Sequence, residues 1–102
     1  MPRKEHHTTP TIIGRILYTD LVAVPLDTPA WFDWLAQHTT FYLDSPLGTF
    51  TARREPRANG VFWYAFRRYH KRLYKAYLGR SADLTTTHLL EVAQQLAQKA
   101  GA

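Results

Sequence analysis

Cysteine is missing from the 102 residues, which excludes disulfides, thiolate metal sites and cysteine nucleophiles and suits a reducing, cytoplasmic setting. Long apolar runs are missing too. Stretches such as Leu21-Val22-Ala23-Val24-Pro25 fall far short of the roughly 20 residues that a membrane-crossing helix needs. Met1–His7 has basic residues but no apolar run behind them, so neither a secretory signal nor a membrane partner is expected. Glycine is sparse: Gly48, Gly60 and Gly79 stand alone at turn positions and form no phosphate-cradling loop. The histidines lack ligand spacing, since His6-His7 precede the periodic part of the chain and His38, His70 and His88 fall in different elements. No metal or other cofactor is expected. Asp33 and His38 lie five apart on one expected helix, and Tyr69-His70 has no carboxylate beside it, so catalytic groups do not converge and the chain does not read as an enzyme.

Negative charge is scarce in one segment only. Residues 53–80 carry Arg53, Arg54, Arg57, Arg67, Arg68, Lys71, Arg72, Lys75 and Arg80 against Glu55 alone, a net +8, whereas residues 1–52 sum to −2 and residues 81–102 to −1. A merely solvating surface mixes both signs. Positive excess confined to one short segment points to a polyanionic partner. With 45% hydrophobic residues, the chain supports one core and not two, so a single domain is expected over 10–100 after a flexible tail at 1–9.

Periodicity supplies the elements. Ile16–Val24 is branched and aromatic and reads as a strand ended by Pro25. Asp27-Thr28-Pro29 combines a cap residue with proline at the first helical position, and Trp31, Phe32, Trp34 and Leu35 recur at helical spacing, which predicts a short helix over 29–38. Thr39–Asp44 and Thr49–Glu55 flank the turn signal Ser45-Pro46-Leu47-Gly48. Asn59-Gly60 marks the next turn, Val61–Tyr69 the most strand-like run, and Leu73–Leu78 its partner beyond His70-Lys71-Arg72. Asp83-Leu84-Thr85 caps a last helix over 86–99, whose stripe is Leu89, Val92, Ala93 and Leu96. The expected fold is α+β: an antiparallel meander of three to five strands with both helices packed on it.

Alternation along a strand gives each hairpin two faces. Ala52, Ala65, Ala76 and Leu78, with Phe50 and Trp63, suit packing beneath the C-terminal helix. That leaves Thr51, Arg53, Tyr64, Phe66, Arg68, Lys75 and Tyr77 opposite, and Arg57, Lys71 and Arg72 at the hairpin ends complete the candidate nucleic-acid-binding set. Arginine and lysine neutralise phosphates or fork onto guanine edges, while rings pack on sugars, methyls or bases. Three other uses of this face stay open. Its rings are core beneath helix 29–38, or they stack single-stranded DNA or RNA, or they dock a protein partner.

The runs Phe50-Thr51-Ala52-Arg53-Arg54-Glu55, Phe62-Trp63-Tyr64-Ala65-Phe66-Arg67-Arg68, Lys75-Ala76-Tyr77-Leu78-Gly79 and Asp83-Leu84-Thr85 resemble the amino-terminal region of large bacterial LuxR/MalT-type transcriptional regulators. More distantly, the segment 49–98 is similar to the arm-type DNA-binding domain of tyrosine recombinases and to the plant ethylene-response-factor domain. The resemblance implies a three-stranded sheet laid in the major groove, with Ala76 and Leu78 in the core and Lys75 and Tyr77 toward duplex DNA. It also implies a role in transcription regulation, alone or as part of a larger regulator. The strand near 16–24 and the helix 29–38 have no counterpart in those modules.

Overall fold

The computed structural model describes residues 9–101, so the expected tail lies outside the described residues except for Thr9. The elements are β1 (Thr11–Ile13), β2 (Ile16–Tyr18), β3 (Ala23–Pro25), α1 (Pro29–Gln37), β4 (Thr40–Ser45), β5 (Gly48–Arg57), β6 (Gly60–Tyr69), β7 (Arg72–Gly79), a 3-10 turn (Ser81–Asp83) and α2 (Thr86–Ala100). All seven strands join one sheet in the order β3-β2-β1-β4-β5-β6-β7. The α+β class stands, but the expected antiparallel meander of three to five strands is corrected to a mixed sheet of seven, because β1 runs parallel to β4.

The reason is local. Ile16–Val24 is two strands, because the Thr19 hydroxyl accepts from the backbone N–H groups of Leu21 and Val22 and folds that stretch into a turn. Leu21 and Val22 look like strand residues by type, yet both are exposed at the turn. β1 pairs antiparallel with β2 and β2 with β3, and the chain then returns through α1 so that β4 lies beside β1.

Both helices begin where side chains satisfy free N–H groups. Thr28 accepts from Trp31 N–H at 3.3 Å with Pro29 in the first turn, and Thr85 accepts from His88 N–H at 3.3 Å. Asp27 gives α2 a second acceptor, 2.9 Å from Thr86 N–H. Burial opposes ionisation of this carboxyl, but the Thr86 hydrogen bonding and nearby Arg15 outweigh it and hold the group below its ordinary value. At the other end of α1, Arg54 donates to the carbonyls of Leu35 and Ala36, where a cation offsets the helix dipole.

Both helices pack on the same side of the sheet. Trp31 and Trp34 meet Phe41 edge-on at 5.5 and 6.3 Å, Phe41 meets Trp63 at 5.3 Å, and the Trp31 indole donates to Leu84 carbonyl at 2.7 Å. Leu89, Val92, Ala93 and Leu96 of α2 share that core with Phe50, Ala52, Ala65 and Leu78, as the stripe implied. Gly48 permits the close approach of α2: a Cβ there would lie 2.6 Å from the Ala93 carbonyl oxygen. Among the described residues no helix is long and apolar enough to cross a membrane.

Candidate nucleic-acid interface

With both helices on one side, the other side of β4–β7 carries no helix among the described residues. The register sets its rows: Thr40, Arg53, Tyr64 and Tyr77 lie across from one another, as do Tyr42, Thr51, Phe66 and Lys75. A third row holds Asp44 and Thr49, and Arg68 stands opposite Leu73. The possibility that α1 covers these rings is therefore not realised. Thr51, Tyr64 and Phe66 are half-buried by their neighbours, while Arg53, Arg57, Arg68, Lys75 and Tyr77 are exposed.

The rings hold the cations. Lys75 Nζ sits 4.4 Å from the Tyr64 ring centre and 5.4 Å from that of Phe66. The Arg57 guanidinium lies 4.8 Å over Tyr64, and that of Arg53 lies 5.8 Å over Phe66. Arg57 Nε also donates to the Tyr64 hydroxyl at 3.2 Å, which pushes the guanidinium pKa further up and keeps it charged. Tyr64 meets Tyr77 edge-on at 5.6 Å, leaving Tyr77 as the most open ring, 57% exposed.

Two of the sequence-derived positions fall elsewhere. Arg72 pairs with Tyr69 and alternates with Leu73, so it belongs to the helix side of the sheet; a one-residue step reverses the face, and the basic turn obscured which residue began the strand. Lys71 lies in the two-residue turn His70-Lys71, both with positive φ (51° and 65°), at the hairpin tip. Of the remaining basic residues, Arg54 is committed to α1, and Arg67 reaches from the helix side to the Thr49 carbonyl at 3.4 Å. The +8 segment is thus divided between the two sides of the sheet.

Three residues were overlooked. Glu55 lies on the open face and bonds Arg57 at 2.6 Å and Lys75 at 3.8 Å. Phe62 is buried although it is outside the main core, roofed by Arg80 at 5.1 Å and flanked by Tyr77 at 6.0 Å. Alternation already puts Glu55 with Arg53 and Phe62 with Tyr64, so that signal was present. Arg80 lies past the end of β7, where alternation carries no information. Among the described residues no three His, Asp or Glu side chains gather to hold a metal ion. Comparison with protein-family models, with curated proteins and with solved structures found no match to this chain.

Proposed function

We propose that the chain binds duplex DNA through the open face of β5–β7 and acts in transcription regulation. The observation that supports this most is the uncovered side of β5–β7, where Arg53, Arg57, Arg68 and Lys75 stand among Tyr64, Phe66 and Tyr77, while Ala52, Ala65, Ala76 and Leu78 of the same strands face the helices. Cations fixed over rings lose less freedom on meeting phosphates than free side chains do, which favours a backbone grip. Their occupancy of Tyr64 and Phe66 weighs against the single-strand reading, because bases need open rings to stack on.

A docking role for the same sheet has its own support. Toward β1 and β2 the open face turns apolar, with Ile13 53% exposed and Tyr18 also exposed, and Leu73 stands exposed at the far end. A mobility shift with duplex DNA, single-stranded DNA and RNA at two salt concentrations separates these readings. Duplex binding should fall with salt at a slope on the order of −4 to −5 in log K against log salt, for about four to six phosphates neutralised. Salt-insensitive binding, or binding unchanged in the triple variant Arg53→Ala, Arg68→Ala, Lys75→Ala, would remove the sheet face as the site.

A further inference from the structure

Glu55 is the one carboxylate on the open face of β5–β7, in the middle of a surface otherwise suited to an anion. Its geometry is specific. Arg57 Nη2 at 2.6 Å and Lys75 Nζ at 3.8 Å both approach the same oxygen, Oε1. Oε2 has no hydrogen-bond partner among the described residues, although the side chain is 31% exposed. Arg57 is similarly divided: Nε serves Tyr64 and Nη2 serves Glu55, while Nη1 makes no hydrogen bond among the described residues. Among the described residues the pair therefore keeps one acceptor and one donor group unused.

A carboxylate oxygen cannot approach a phosphate, since both are anionic acceptors. If a duplex lies on this face, Glu55 must stand away from the backbone, over a groove. The major-groove edge of a G·C pair offers the matching array, with the guanine N7 and O6 as acceptors and the cytosine N4 amino group as donor. An A·T pair offers a donor too, but it lies between the adenine N7 and thymine O4 acceptors, so no two adjacent acceptors face the guanidinium fork.

We propose that Glu55 and Arg57 together read a G·C pair, with Glu55 Oε2 accepting from cytosine N4 and Arg57 donating to the guanine edge beside it. This rests on the duplex reading above. Lys75 keeps its role as a backbone contact, and its looser 3.8 Å approach steadies the carboxylate.

The test is site selection from a randomised duplex pool, using the full chain and its Glu55→Gln variant, followed by affinity measurements on the selected duplexes. The parent should select a C·G pair at one position. In Glu55→Gln, discrimination at that position should fall by roughly 5- to 150-fold, the size of one good base contact, while the other positions hold. The salt slope should not change, because Glu55 neutralises no phosphate. Arg57→Lys keeps the charge but loses the planar fork, and it should weaken discrimination at the same pair, which keeps the proposal testable if Glu55→Gln does not fold. If Glu55→Gln tightens binding to every duplex alike and leaves the selected sequence unchanged, Glu55 only tunes charge and the proposal is overturned. If the parent binds no duplex at all, the interface reading itself falls, and with it this inference; the two failures are distinct.

Discussion

The two sides of β5–β7 are built from alternating residues of the same strands and solve different problems. On the helix side, Phe50, Ala52, Trp63, Ala65 and Leu78 are buried under α1 and α2, and order comes from excluded water and close packing. On the open side, Tyr64, Phe66 and Tyr77 gain order from cations laid across them and from edge-to-face contacts. Removing carbon from the first side leaves a cavity. Removing it from the second leaves a surface that water can reach. Stability should therefore depend on one side and nucleic-acid affinity on the other.

The sharpest way to break this contrast is Leu96→Ala. Leu96 is almost wholly buried, so its truncation should cost about 2–4 kcal/mol in urea unfolding, with the DNA affinity of the folded protein unchanged. Comparable stability in parent and variant would mean that α2 is not bound to the sheet as described. The reciprocal changes, Arg53→Ala or Arg68→Ala, should leave unfolding within about 0.5 kcal/mol of the parent. They should cost about 1–3 kcal/mol on the preferred duplex if either side chain forks onto a guanine. Lys75→Ala should instead weaken all duplexes alike and lower the salt slope by roughly one, as titration at several salt concentrations would reveal.

A smaller effect distinguishes the helix anchor from both faces. In Asp27→Asn the replacement tolerates the left-handed backbone at φ 62°, so the change isolates the charge. The Asp27 carboxyl is held below the ordinary carboxylate range in the folded chain, so its contribution is complete above that range and disappears as pH falls through the lowered value. The variant should be less stable than the parent at pH 7, and the gap should close below about pH 4 in paired urea melts. A gap that widened in acid would contradict the sign of the shift. Smallest of all, Lys71→Gly relieves a left-handed lysine and should stabilise the β6–β7 hairpin by up to about 1 kcal/mol. Any accompanying loss of duplex affinity would place the hairpin tip in contact with the backbone.

How legible the molecule was depends on how far each feature reaches along the chain. α1, observed over Pro29–Gln37, and α2, over Thr86–Ala100, were readable within a residue because a cap and a 3.6-residue stripe are local. The long strands were readable for the same reason, and alternation alone separates Arg53, Tyr64 and Lys75 from Ala52 and Ala65. The three-residue strands were not, because three residues hold too little period to register. Lys71 and Arg72 were overcounted on the open face because the run of basic residues hides where the turn ends and β7 begins, and a one-residue step reverses the face.

By itself, the sequence determined the segments, the two faces of each long strand and the concentration of positive charge on 53–80, all properties of residues near one another in the chain. Only the tertiary structure decided that β1 lies parallel to β4 and that α1 and α2 contribute to one core. That choice depends on Trp31 finding Phe41 and the Leu84 carbonyl, the latter 53 positions away, and on Arg54 finding the end of α1. Such contacts form between groups that no local period connects. They leave the open face uncovered because the apolar stripes of both helices are satisfied on the other side.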